Sequence, residues 1–173
     1  MKKSLKLIFL SFMVMAATYN TADASDPVNI NVTGNIVASP CTVDTANSNL
    51  SPSLGEIQGT TLEAPNSFSD WVPFKLVLKD CPAGTQKATV TFNGTPDTNS
   101  PASMYVNTGN ATNVAVELQG SGGDLFGNGK YYTGDIFADH TYTYNLKTRA
   151  YSTTGNVTPG TISAVIQATF TYQ

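Results

Sequence analysis

Val28-Asn29-Ile30-Asn31-Val32-Thr33-Gly34-Asn35-Ile36 alternates apolar and polar residues from end to end. A period of two sends Val28, Ile30, Val32, Gly34 and Ile36 to one face and the asparagines and threonine to the other, the pattern of a half-buried β-strand. The stretch stands ahead of the first cysteine, where a mature chain begins. A strand at that place either completes its own fold or is handed to another molecule.

The residues before it read as an address. Lys2, Lys3 and Lys6 form a positive n-region, residues 7–17 are almost wholly apolar, and Ala22-Asp23-Ala24 has the small-x-small form of a signal-peptidase site, so residues 1–24 are read as a signal peptide. The apolar run is about half of the roughly 20 residues a spanning helix needs, and no later run approaches that length, so direct membrane insertion is not expected. Cutting after Ala24 leaves 149 of the 173 residues, enough for one domain with a real core.

Loss of Lys2, Lys3, Lys6 and Asp23 with the leader leaves 6 of the 9 basic and 11 of the 12 acidic residues, net −5. Nucleic-acid binding needs basic patches that displace counterions, so this balance argues against it and leaves protein or sugar as partner. Cys41 and Cys81 are the only cysteines. In an exported chain an even pair without neighbouring metal ligands reads as a disulfide, worth on the order of 4 kcal/mol in the chain-entropy account of a loop this long.

Beyond the leader there is no helical periodicity of useful length. Short β-rich runs recur between Gly, Pro, Asn, Asp and Ser clusters, with strands expected at 28–42, 71–78, 88–93, 113–119, 141–151 and 161–172. Six or more strands in one domain make an all-β sandwich. Between 50 and 68 the chain is rich in Ser, Pro, Gly and Thr, with Leu54 and Ile57 as anchors of a short edge strand. The C-terminus repeats the opening pattern: Ile162, Ala164, Ile166, Ala168, Phe170 and Tyr172 share one face, and only Val165 interrupts the polar one. Residues 121–124 and 127–129 carry turn chemistry, and with no strand before and no helix after a glycine motif they are not phosphate cradles.

Catalytic chemistry finds little to work with. His140 is the only histidine, so a nucleophile has no evident base, and it lies in a loop entering a strand. Asp70, Asp80, Asp124, Asp135 and Asp139 sit beside turn residues, where capping explains them better than paired-carboxylate hydrolysis. The acids are dispersed, so no metal or other cofactor is expected. Asn31, Asn93, Asn110 and Asn156 head Asn-x-Thr sequons, informative only in a host that glycosylates. Trp71 and the tyrosines could build a sugar-stacking platform, yet Trp71 heads an apolar run and reads as core.

Taken together, the leader, residues 29–34, Pro40-Cys41-Thr42-Val43, Leu78-Lys79-Asp80-Cys81-Pro82, 88–94, 113–119 and the ending 164–172 resemble the pilin subunits of chaperone–usher fimbriae, and among them the minor adaptor subunits of type 1 pilus tips. Two markers are specific: Tyr172 is penultimate, and Gly160 is fourteenth from the C-terminus. The resemblance implies an incomplete immunoglobulin-like sandwich (37–173) lacking its last strand, with a groove beside the C-terminal strand of Gly160, Ile162, Ala164, Ile166, Ala168, Phe170 and Tyr172. It implies a donor-strand extension at 25–36 offering Val28, Ile30, Val32, Gly34 and Ile36. It further implies a periplasmic chaperone that lends a strand and anchors the Gln173 carboxylate, an outer-membrane usher, and neighbouring pilin subunits whose extensions replace the chaperone by strand exchange. Such a subunit is exported through the periplasm to the cell surface, has no catalytic activity, and supports cell adhesion. A tip adhesin's extra lectin domain would not fit in 149 residues. The segments 40–42, 80–82 and 116–119 lean toward an adaptor, although major shaft subunits share the scaffold. A self-complete carbohydrate-binding sandwich, with 28–36 folded into its own sheet, is the competing reading, and a secreted hydrolase a weaker third.

Overall fold

The structure, a computed structural model, describes residues 30–37, 39–100 and 102–173. The leader, with residues 25–29 and hence Val28, lies outside the described residues. The chain divides into two units, Met1–Asn35 and Ile36–Gln173. Of the first, residues 30–35 are described: they join no β-ladder, and Ile30 and Val32 are exposed.

The second unit is all-β apart from one 3₁₀ turn, Gly59–Leu62. Its strands are β1 (Thr42–Val43), β2 (Ser67–Phe68), β3 (Val72–Lys79), β4 (Lys87–Asn93), β5 (Met104–Val106), β6 (Ala115–Gly120), β7 (Lys130–Asp135), β8 (Tyr142–Ser152) and β9 (Gln167–Tyr172). They form two antiparallel sheets. One runs β1-β3-β8-β6-β5, with β2 pairing the far end of β8 past β3; the other runs β7-β4-β9. Ser69 bridges the break between β2 and β3, its N–H donating to Ala150 O and its Oγ accepting from Ala150 N.

The period of two decides which side chains go inside. On β8, Tyr144, Leu146, Thr148, Ala150 and Ser152 are buried while Asn145, Lys147, Arg149 and Tyr151 alternate with them on the outer face. Leu76 and Leu78 of β3 and Leu118 of β6 join them against Ala88, Val90 and Phe92 of β4. The two buried tyrosines satisfy their hydroxyls across the core, Tyr144 on Ala88 O at 2.7 Å and Tyr105 on Phe126 O at 2.9 Å. Gly134 of β7 has to be glycine, because a Cβ there would overlap the Tyr142 ring. Cys41 and Cys81 are joined, tying the approach to β1 to the end of β3.

Several expectations need correction. The expected strand 28–42 is a ladder only at Thr42–Val43, since residues 30–37 have no neighbouring strand in the described chain. The expected final strand 161–172 forms a ladder only from Gln167, because β4 ends opposite that residue. Leu54 and Ile57 do anchor their segment, packing on a second cluster of Leu62, Ala111, Val114 and Ala150, but residues 50–58 pair with nothing. Three strands lie outside the expected ones: β2 and β5, only two and three residues long, and β7, whose exposed Lys130, Tyr131 and Asp135 hide its alternation. Trp71 is half-buried on the outer face of the larger sheet, beneath cations, and is not core.

Candidate functional site

Along β9 the sandwich is open. A groove of about 1010 Å³ runs between segment 49–58 on one side and residues 160–168 on the other, with Phe74, Leu76, Phe92, Val116 and Leu118 among the residues of its floor. A closed sandwich would have a strand here. Its place is marked by half-buried Ala164, Ile166, Ala168, Phe170 and Tyr172, which touch the core from one side and are bare on the other.

The backbone tells the same story, atom by atom. In an extended chain the N–H and C=O of alternate residues point to opposite edges. Gln173 exchanges both bonds with Lys87, at 2.9 Å each, and its O also accepts from Gln86 N, so the odd-numbered residues of β9 face β4. Upstream the same parity continues without a strand partner. Thr108 N donates to Ser163 O at 2.8 Å and Ala111 N to Thr161 O at 3.1 Å, while Ser163 N donates to Asn107 Oδ1 and Thr161 N to Asn110 Oδ1. The even-numbered residues 162–172 therefore turn their unpaired peptide groups to the open edge, and Ile162, Ala164, Ile166 and Ala168 among them line the groove with their side chains. On the far wall, residues 50–57 make only local bonds, such as Gly55 N to Ser53 Oγ. Among the described residues the groove is thus bounded by two unpaired backbone edges over an apolar floor.

Gly160 opens the groove-side segment, and its identity has a local cause. A Cβ at this position would sit 2.5 Å from Asn110 Oδ1 and 2.7 Å from Ala111 N. Only a glycine lets the chain pass closely enough for Asn107 and Asn110 to hold residues 161 and 163. In the sequence Asn110 stands out only as the head of a sequon and Asn107 not at all; the trace they share is their place in the turn-forming Asn107-Thr108-Gly109-Asn110. The far wall was likewise read as an edge strand, with no hint that it lines a groove.

At the other end, Tyr172 Oη donates to Cys41 O at 3.4 Å, and burial raises the pKa of its phenol. A shallower concavity of about 560 Å³ adjoins it, lined by Ile36, Val37, Pro82, Tyr172 and Gln173 among others, with Ile36 fully exposed. Of the residues expected to act as a donor strand, Ile30, Val32, Gly34 and Ile36 take part in no described ladder, and a Cβ on Gly34 would meet nothing within 4 Å.

The titratable residues do structural work. Asp44 accepts from Asn47 Nδ2 at 2.7 Å and from the N–H groups of Ala46 and Asn47, and this capping, aided by Lys79 at 3.6 Å, lowers its pKa. Asp139 Oδ1 caps Thr141, His140 is an exposed turn residue with φ 62°, and Asp135 pairs with Lys87 at 3.1 Å. Among the described residues no three His, Cys, Asp or Glu side chains are grouped to hold a metal ion.

Comparison with known proteins agrees with this architecture. The family profile described as "Fimbrial protein" matches residues 30–173. Protein FimG of Escherichia coli (strain K12) is 35% identical over 160 residues, covering 92% of each chain. The S-fimbrial adhesin protein SfaS of Escherichia coli O6:K15:H31 (strain 536 / UPEC) is 36% identical over 170 residues, covering 97% of this chain and 98% of its own. Among solved structures, the P pilus rod subunit PapA superposes with a TM-score of 0.65 at 22% identity, over 78% of this chain and all of that one.

Proposed function

The chain belongs to the fimbrial protein family, whose members are structural subunits of surface pili and not enzymes, and on that premise we propose that it polymerises by donor-strand exchange. The observation that carries this reading is the groove with two unpaired backbone edges beside residues 162–172. A strand laid there would gain main-chain bonds on both sides and cover the bare faces of Ile162, Ile166 and Phe170. A periplasmic chaperone fills the groove first, and at the outer-membrane usher the N-terminal extension of a neighbouring pilin replaces it. The subunit's own residues 25–36 are the matching donor, with Val28, Ile30, Val32 and Ile36 as knobs and Gly34 as the position without one. Residues 1–24 are the export signal and 37–173 the pilin domain.

Within the fibre we assign it a minor, adaptor-type place that supports adhesion by linking other subunits, on the strength of segments 40–42, 80–82 and 116–119. Counting subunits in purified fimbriae by quantitative mass spectrometry tests this: a few copies per fibre are expected, and hundreds would make it the shaft subunit. Export of the chain with and without a fimbrial chaperone tests strand lending. Recovery as a one-to-one complex is expected, and abundant soluble chain without the chaperone would overturn it.

A further inference from the structure

Residues 161–166 continue the groove's edge past the end of β4, with no strand beside them. An extended segment without a ladder frays unless other donors and acceptors replace the missing ones. The loop Asn107-Thr108-Gly109-Asn110 supplies them. Ser163 N donates to Asn107 Oδ1 at 2.8 Å, and Ser163 O accepts from Thr108 N at 2.8 Å and from Thr108 Oγ1 at 3.1 Å. Thr161 N donates to Asn110 Oδ1, and Thr161 O accepts from Ala111 N at 3.1 Å and from Asn107 Nδ2 at 3.4 Å. The peptide groups that residues 161 and 163 turn away from the groove are thus all paired, as they would be beside a strand. Val165, next in the same parity, is exposed, and its N–H has no partner among the described residues.

Asn107 is the centre of this imitation. Its amide uses all four of its bonding positions, because Nδ2 also donates to Ala111 O at 2.8 Å and Oδ1 also accepts from Gly109 N at 2.9 Å. Those two bonds close the loop on itself, and alone they would be ordinary turn capping. The other two leave the loop and reach the groove's edge, 54 and 56 positions away along the chain. A Cβ on Gly109 would fall onto Thr161 O, so the loop lies directly against that edge. On the groove side, Ile162 packs with Leu54 and Ile57 of the far wall on the cluster of Leu62, Ala111 and Val114, so both walls rest on this corner.

On the premise of the donor-strand reading above, we infer that Asn107 is a positioning residue for docking of the donor strand. Standing in for an absent strand, its amide holds the peptide groups of Ile162 and Ala164 toward the open edge, so the incoming backbone meets a partner that is already extended. An edge ordered beforehand lowers the entropy lost on docking. The loop's own N–H groups, on Thr108 and Ala111, cannot do this alone: they reach only the carbonyls of Ser163 and Thr161 and leave the two N–H groups to the asparagine side chains.

Two measurements on the chaperone-bound subunit test this. Hydrogen exchange should find the Thr161 and Ser163 amides at least about tenfold slower than that of Val165; equal rates for the three would overturn the inference. Uptake of labelled peptides of residues 25–38, 25–34 and 29–38 is then compared between the parent and Asn107→Ala. With 25–38 the variant should be slower by about tenfold. One shortened peptide should keep that penalty, and the other, which stops short of residues 161–163, should enter variant and parent equally. Thr112→Ala, which loses only the neighbouring hydroxyl contact to Thr158, should match the parent throughout. An unchanged rate with 25–38, or the same penalty with all three peptides, would make Asn107 a purely structural turn residue and overturn the inference. A parent that takes up none of the peptides would instead defeat the donor-strand reading itself, and this inference with it.

Discussion

Gly160→Ala isolates what holds the groove's edge in place. The added Cβ would stand 2.5 Å from Asn110 Oδ1 and 2.7 Å from Ala111 N, both well inside contact distance, and one of the two atoms is backbone. Segment 160–163 must therefore retreat from the 107–111 loop. Doing so loosens the bonds of Thr161 N and Oγ1 to Asn110 Oδ1, of Asn110 N to Thr161 Oγ1, and of Ala111 N to Thr161 O. Four bonds at about 0.5–1.5 kcal/mol each, part of them regained after relaxation, give a loss of about 2–4 kcal/mol. For a domain of this size that lowers the melting temperature by roughly 6–12 °C, read by circular dichroism on the chaperone-bound or strand-filled subunit. Gly34→Ala is the internal control, since its Cβ meets nothing within 4 Å and the same melt should be unchanged. A Gly160→Ala melt within about 2 °C of the parent would refute the close packing at this position.

Other outcomes follow from the buried contacts. Arg149→Ala strands buried Glu117 and is expected to cost about 3–5 kcal/mol in urea unfolding, whereas Lys87→Ala, whose partner Asp135 is exposed, should stay within about 0.5 kcal/mol. Burial, with help from Tyr132, pushes the Tyr142 phenol up to about 12, and burial raises Tyr105 and Tyr144 further. A raised tyrosine pKa stabilises the fold fully below the unfolded value near 10 and loses that contribution as pH climbs toward 12, so the melting temperature should fall across this window and Tyr142→Phe should flatten the fall. Gly34→Val should leave chaperone binding intact and slow polymerisation about tenfold or more, by light scattering, if the donor position opposite a groove wall tolerates no side chain; an unchanged rate would sink that assignment.

What the sequence revealed depended on where each signal lay. Leu76, Leu146, Val90 and Phe92 sit in strands that alternate, so β3, β4 and β8 were legible to within one residue, and β6, an apolar run buried on both faces, to within two. The alternation of residues 162–172 was legible for the same reason, and of its even-numbered residues Ile162, Ala164, Ile166 and Ala168 line one edge of the groove. The alternation could not say that residues 161–166 lack a ladder, because a side-chain period is the same whether or not a neighbouring strand is present. Trp71 misled because an apolar run begins beside it, while its ring is held outside by Arg149, and that cation is 78 positions away along the chain. The far wall at 49–58 and the Asn107 and Asn110 contacts are long-range polar features without any period, and such features are invisible to local pattern.

The most direct measurement is to add a peptide of residues 25–38 to the chaperone-bound subunit and follow chaperone release and the unfolding midpoint. Side chains filling the groove bury a few hundred Å², which at about 25 cal/mol per Å² is worth roughly 5–10 kcal/mol before ordering costs. The account expects the peptide to displace the chaperone and leave a far more stable species. A subunit that is a stable monomer by itself and indifferent to the peptide would contradict it.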